Sequence, residues 1–169
     1  MGTLATTERL VIRDLTLDDA AHIKLLNTDP EVLRYVHDEP FADLAAAQKW
    51  ITEIPGKLPN GFGRWVITLK DGTWIGRCSL RKGDDGTTLM GYRLLRAHWG
   101  QGYATETVRA LLDTAFTVYD QPFVLSHIAE ENARSIRVAE KCGAIFWKRG
   151  AAVKLSDALL YRYERPSVI

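Results

Sequence analysis

Cysteine is scarce in this sequence: Cys78 and Cys142 are the only two in 169 residues, far apart and outside any C-x-x-C pattern. That excludes a disulfide scaffold, and the two read as ordinary reduced thiols. Four histidines are scattered singly, without H-E-x-x-H or paired ligand spacing, so no metal site is expected. Charge of one sign is lacking too, with 22 Lys and Arg against 21 Asp and Glu and a formal net charge of +1. A general nucleic-acid binder carries a basic excess, and here no acidic block exists to collect a polycation either. No apolar run approaches the roughly 18 residues that span a bilayer, and residues 1–8 lack the basic-then-apolar build of a signal peptide. The expectation is a soluble cytoplasmic protein with no membrane partner. Repeats and low-complexity stretches are absent, and 13 glycines and 6 prolines punctuate short elements.

What is present has the size of one domain, since domains run to about 100–200 residues. A single domain over 1–169 is expected, with its core at about 8–165. Glu8 to Arg13 reads as a first strand, and Thr16-Leu17-Asp18-Asp19 resembles a capping box opening a helix to about Asn27. Asp29-Pro30 begins a short helical piece to about Val36, and Asp43 to Ile54 forms a third, ended by Pro55-Gly56. Arg64 to Leu69, Thr73 to Leu80 and Thr87 to Leu94 carry β-branched and aromatic residues at strand spacing. Turns at Lys70-Asp71-Gly72 and Gly83-Asp84-Asp85-Gly86 make them three consecutive antiparallel strands. Val108, Leu111, Leu112, Ala115, Phe116 and Tyr119 fall at helical spacing and mark the clearest helix. Phe123 to Ile128 follows as a strand; Asn132 caps a helix to about Cys142, with Gly143 as its C-cap glycine. Ile145 to Arg149 and Leu159 to Glu164 supply the last two of seven strands. The fold class is α/β (α+β): a mixed, mostly antiparallel sheet flanked by helices.

The chemistry-bearing stretch runs from the strand at Tyr92, Arg93 and Leu94 through Trp99, Gly100, Gln101, Gly102, Tyr103, Ala104 and Thr105 into a helix. Small residues there let backbone N–H groups approach an anion, and the helix dipole favours a phosphate or pyrophosphate. A tight strand-to-helix turn that binds nothing is the alternative, because the run is neither a full G-x-G-x-x-G nor a Walker loop.

Gly91-Tyr92-Arg93-Leu94, then Trp99 to Glu106, then Asn132-Ala133-Arg134-Ser135 through Ala144, together resemble the GNAT superfamily of acyl-CoA-dependent N-acetyltransferases. More narrowly they resemble its RimJ/RimL type, over nearly the whole chain. The resemblance implies the GNAT fold, acetyl-CoA (coenzyme A) as cofactor, and direct acetyl transfer to a primary amine in a ternary complex. It places the pyrophosphate on backbone amides from Gly100 to Thr105, with Trp99 standing where the family pattern has Gln or Arg. It also pairs the strand around Tyr92 and Leu94 with pantetheine, sets Asn132 against the pantetheine arm, and puts Ser135 near the sulfur. Read without the family, Asn132 is a plain helix N-cap and Ser135 a first-turn serine.

The acceptor amine must lose a proton, and the sulfur must gain one. Many relatives carry a Glu just before the Gly-Tyr of this strand; here the residues are Thr88, Leu89 and Met90. Others place a base about five residues before the Asn, which is His127, a base or water-relay candidate at neutral pH. His127 as an ordinary half-buried strand residue stays open beside it, and Glu130 and Glu131 read as solvated loop carboxylates. Ser135 is the candidate acid or hydrogen-bond donor to the sulfur. Tyr35, Phe41, Trp50, Trp65 and Trp74 are candidates for an acceptor groove, with core packing the default. The expected acceptor is a peptide N-terminus or a small amine, and a homodimer is compatible with the family. A non-catalytic acyl-CoA-binding sensor, or a scaffold that keeps the fold alone, is the competing reading.

Overall fold

Short runs of alternating β-branched and aromatic residues need partners on both sides before they bury anything, and here they find them in one sheet. The computed structural model describes residues 2–36, 38–53, 62–152 and 155–166. Its strands are β1 (Thr3–Thr6), β2 (Leu10–Asp14), β3 (Gly63–Leu69), β4 (Trp74–Lys82), β5 (Thr88–Leu94), β6 (Phe123–Ile128), β7 (Ile145–Ala152) and β8 (Leu155–Glu164). They form an 8-stranded sheet in the order β1-β2-β3-β4-β5-β6-β8-β7. Every neighbouring pair is antiparallel except β5 and β6. The expected seven strands become eight because Thr3–Thr6 folds back on β2, with a break in register between Thr3 and Ala5. Four residues interrupted by an irregularity are too few to show a period of two.

Among the described residues five α-helices cover the sheet: α1 (Ala20–Leu26), α2 (Pro30–Leu33), α3 (Leu44–Glu53), α4 (Tyr103–Asp113) and α5 (Ala133–Lys141). The expected stop of α3 at Pro55-Gly56 lies outside the described residues. Alternation in the strands divides the core in two. Trp65 and Ile67 of β3 pack with Val108 and Leu111 of α4 and Ala139 of α5. Val66 between them packs with Ile23 of α1, Ala47 and Ile51 of α3, and Trp74. So α4 and α5 cover one face, and α1 to α3 the other. Cys78 is buried and Cys142 half-buried, both as free thiols. No helix among the described residues is long and apolar enough to cross a membrane.

Local chemistry explains the helix ends. The expected capping box is present at Thr16, and a 3-10 turn over Leu17–Asp19 precedes α1. Arg13 reaches across from β2 and donates from both terminal nitrogens to the buried Asp19 carboxylate, at 2.9 and 2.7 Å. Burial alone would raise the Asp19 pKa; bonds from Arg13 and Thr16 more than offset it and hold it below the ordinary carboxylate range. The clearest predicted helix ends as an α-helix at Asp113, then winds as a π-helical turn over Thr114–Val118. Thr114 and Thr117 each donate their hydroxyl to the carbonyl four residues back, at 2.9 and 2.7 Å, a back-bonding that bends helices.

One glycine is required by close approach. Gly76 of β4 lies opposite Leu94 of β5, and a Cβ there would sit 2.2 Å from the Arg93 carbonyl oxygen. Gly76→Ala is therefore expected to push β4 from β5 at about 2 kcal/mol or more, a Tm loss on the order of 5 °C. Thermal melting checks this, and an unchanged Tm would show that β5 has slack.

Candidate active site

The parallel pair β5 and β6 is joined at Leu89 and Leu125. Beyond that point β5 stays paired with β4 as far as Leu94, and β6 stays paired with β8 as far as Ile128. Each strand therefore keeps its hydrogen bonds on its outer side while the two part, and the gap opens a passage between the faces of the sheet. Two cavities meet there.

The first, about 360 Å³, is lined by the strand end Tyr92, Arg93 and Leu94, the turn residues Trp99, Gly100, Gly102, Tyr103, Ala104 and Thr105, and Asn132 and Ser135 of the α5 start. Gly100 and Gly102 have φ of 76° and 84°, a conformation that side chains resist. Gly102 is the N-cap of α4, and no side chain caps that helix. The first N–H groups of α4 thus lack intrahelical partners and carry the positive end of the dipole. Glu106, in the first turn, would oppose an anion there if left unpaired. Instead its carboxylate accepts from Thr7 Oγ1 at 2.6 Å, the Arg9 amide at 2.8 Å and Arg9 Nε at 2.7 Å. Burial would raise its pKa, but these bonds bring it below the ordinary value. Arg9 also donates to the Gln101 carbonyl at 2.9 Å and lies over the Tyr103 ring, bracing the turn from outside.

Gln101 is not part of the cavity wall: its side chain turns back to donate to the Ala97 carbonyl at 3.0 Å. Trp99 donates its indole N–H to the Leu94 carbonyl at 2.8 Å, and its ring supports the Arg134 guanidinium at 4.8 Å. One lone pair of that Leu94 carbonyl is thereby engaged within the protein. Arg134, Arg137 and Lys141 all line this cavity from α5. Their spacing of three and four residues puts them on one helix face, a positive stripe that a net charge of +1 conceals.

The second cavity, about 420 Å³, shares Tyr35, Val36, Tyr92, Arg93, Asn132 and Ser135 with the first. His127 of β6 lines this second cavity, as Ser135 of α5 does, but not the first. Burial chiefly, and then Arg81, lower the His127 pKa, against an opposing pull from Asp85, so the imidazole is neutral at pH 7. At the junction, Tyr92 Oη and Ser135 Oγ lie 3.3 Å apart. Burial raises the Tyr92 pKa and the Ser135 contact only partly offsets that, so the phenol keeps its proton. The Asn132 carboxamide oxygen accepts from the Ser135 amide at 3.2 Å, which is the N-cap of α5 and leaves the amide N–H₂ for other partners. Glu130 pairs with Arg149 outside both cavities. Of the five aromatics, Tyr35 and Trp50 line the second cavity, Phe41 packs edge-on to Trp50, and Trp65 and Trp74 are core. The Tyr92 hydroxyl, the α5 basic stripe and the Arg9–Glu106 brace were not read from sequence. Only the i, i+3, i+7 spacing of Arg134, Arg137 and Lys141 offered a visible signal.

The family model for the acetyltransferase (GNAT) domain matches residues 9–145. The chain belongs to the GNAT acetyltransferase family. The uncharacterised N-acetyltransferase p20 of Bacillus licheniformis is 35% identical over 136 residues, covering 78% of this chain and 76% of that relative. An acetyltransferase structure from Agrobacterium tumefaciens superposes with a TM-score of 0.80 at 29% identity, covering 98% of this chain and 95% of that one. The RimL ribosomal-protein alpha-N-acetyltransferase, in complex with coenzyme A, superposes with a TM-score of 0.83, over 96% of this chain and 98% of that one. At 15% identity that likeness shows the fold alone. The GNAT chain is thus an acetyltransferase, and acetyl-CoA is the family's cosubstrate. The uncapped α4 terminus, the glycine turn and the α5 cations fit a nucleotide carrying a pyrophosphate.

Gly102→Glu would force a side chain into positive φ, 3.2 Å from Arg9 Nη2 at its Cβ, and add an anion at the helix start. Acetyl-CoA Kd by calorimetry is expected to rise at least ~10-fold, combining backbone strain with lost dipole stabilisation; an unaltered Kd would sink the assignment of this turn.

Proposed function

We propose that this GNAT chain acetylates a primary amine, on a peptide N-terminus or a small molecule, by direct transfer with both substrates bound. The observation that carries the reading is the meeting of the two cavities at Tyr92, Asn132 and Ser135. One cavity offers what an anionic cofactor needs, and the other reaches the same junction from the acceptor side. Acetyl-CoA, when bound, supplies an acetyl group activated as a thioester, with the CoA thiol as leaving group. Backbone amides from Gly100 to Thr105 hold its phosphates, with Arg134, Arg137 and Lys141 adding charge. The strand backbone at Tyr92 and Leu94 orients the pantetheine arm, as an added strand would be oriented.

The neutral His127 imidazole accepts the proton that the acceptor amine must lose, directly or through a water. Ser135 Oγ gives a proton or a hydrogen bond to the departing sulfur and is reprotonated from solvent, and the Tyr92 phenol beside it, which keeps its own proton, orients that hydroxyl. Neither group works as a triad. Holding amine and acetyl group in line supplies several kcal/mol of the rate by order of magnitude, and these residues manage the two proton movements.

Because the His127 pKa is lowered, its base form persists as pH falls below the ordinary histidine value. The acid limb of kcat/KM is expected below about pH 6.5, the unperturbed histidine value. His127→Ala should remove that limb and cut kcat/KM by roughly 10²-fold near neutral pH, by less above pH 9 where the amine needs less help, and by less again at pH values low enough to protonate the wild-type imidazole. A profile identical to wild type removes His127 from the mechanism. If Tyr92 and Ser135 form one unit, Tyr92→Phe and Ser135→Ala should each lower kcat with little change in acetyl-CoA Kd. The double variant should then lose less than the product of the two; strictly multiplicative losses would separate them.

A further inference from the structure

The second cavity is strongly cationic. Arg77 and Arg81 of β4 flank Ser79 at a spacing of two, so all three share a sheet face. Arg64 of β3 lies opposite Ser79, and Arg93 of β5 lies opposite Arg77, completing a ring of four arginines on that face. All four line the cavity. In the middle, Gly91 faces Ser79 across β5 and leaves the floor clear: a Cβ there would meet only Ser79 Oγ, at 3.5 Å. His127 follows Leu125 by two residues and so shares the face of Leu89 and Leu125 on which the ring stands.

Among the described residues, one carboxylate stands against the four arginines of the ring. Arg93 is engaged: it pairs with Asp38 and donates to Asn27 Oδ1 at 2.9 Å. Asp38 is the only carboxylate among the described lining residues. Arg64, Arg77 and Arg81 form no ion pair among the described residues. Arg77 Nε is sealed from solvent and has no hydrogen-bond partner. The Arg77 and Arg64 guanidiniums both lie against Trp50, at 5.2 and 6.0 Å from its ring centroid, which holds them in place without discharging them. Burial first, then the neighbouring Arg93 and Arg64, push the Arg77 pKa down to about 9 against the weaker pull of Asp38, still cationic at neutral pH. A fold that gathers like charges against desolvation, with donors unused, is built to receive an anion.

Resting on the acetyltransferase reading above, we propose that the acceptor is a small primary amine carrying a carboxylate or phosphoryl group. Arg64, Arg77 and Arg81 grip the anion, and its amine is presented to His127 and the Tyr92–Ser135 junction. Planar guanidiniums match such groups with paired hydrogen bonds, and about 420 Å³ holds an amino-acid-sized molecule. The same ring repels a polyamine.

The test uses the purified full chain with saturating acetyl-CoA, following CoA thiol release with glutamate, glutaminamide, phosphoethanolamine and spermidine. In parallel, calorimetry titrates the same four amines into the CoA-saturated protein. The expected result is a kcat/KM at least 10-fold higher for glutamate or phosphoethanolamine than for glutaminamide, with spermidine lowest; which of the two leads tells carboxylate from phosphoryl. Arg77→Gln, or Arg64→Gln should the first fold poorly, is expected to erase that preference through KM while acetyl-CoA Kd stays unchanged. Equal or better use of glutaminamide or spermidine would overturn the proposal and leave the acetyltransferase reading standing. So would failure of both anionic amines to bind a protein that binds CoA normally. Failure to bind acetyl-CoA at all would instead remove the cofactor reading, and this proposal with it.

Discussion

The parting of β5 from β6 after Leu89 and Leu125 is the constraint on which the site depends. A continuous sheet would separate the residues on its two faces by its own thickness, and no group on one could reach a partner on the other. β4 and β8 hold the outer edges of the parting strands, so each remains a strand while its inner edge is left facing the gap. Tyr92 then reaches Ser135 on the α5 side, while Arg93, one residue on, faces the arginine ring. Strand alternation turns a gap a few residues long into a junction between two chemically different cavities.

Electrostatics is arranged locally, and the total conceals it. Twenty-two cationic side chains nearly cancel twenty-one anionic ones over the chain. Yet one cavity gathers Arg134, Arg137 and Lys141, and the other gathers Arg64, Arg77, Arg81 and Arg93. The compensating carboxylates are used elsewhere: Asp19 secures Arg13 at the start of the helical layer, Glu106 secures Arg9 behind the glycine turn, and Glu130 secures Arg149 at the surface. Pairing structural cations with acids leaves Arg64, Arg77 and Arg81 in one cavity, and the α5 cations in the other, without an ion-pair partner among the described residues; Arg93 is paired with Asp38. The backbone amides of the glycine turn do not stand alone: α5 sets Arg134, Arg137 and Lys141 along the same cavity.

Much of this was legible from local pattern. The hairpins around Lys70-Asp71-Gly72 and Gly83 to Gly86, the Thr16 capping box, the Asn132 cap and the Gly143 terminus all follow from near neighbours in sequence, and all are present. β1 was missed because four residues with a register break carry too little periodicity, and the π turn because it rests on backbone bonds such as Tyr119 N–H to the Thr114 carbonyl five residues back, which the apolar spacing does not mark. Gln101 sits in the motif by spacing, yet its side chain turns out of the cavity wall, a choice made by the Ala97 carbonyl within reach.

By itself the sequence determined the order of the elements after β1, the glycine turn at the head of α4, the small-residue and Asn-Ser motifs, and through them the family. Those features are local, and their physics is written in residues a few positions apart. Only the tertiary structure decided that Tyr92 meets Ser135 across 43 positions, that Arg9 braces Gln101 across 92, and that four arginines from three strands stand in one ring. Such contacts depend on strand register and sheet order, where a shift of one residue sends every side chain to the opposite face. No local pattern encodes that choice; burial on both faces of the sheet does.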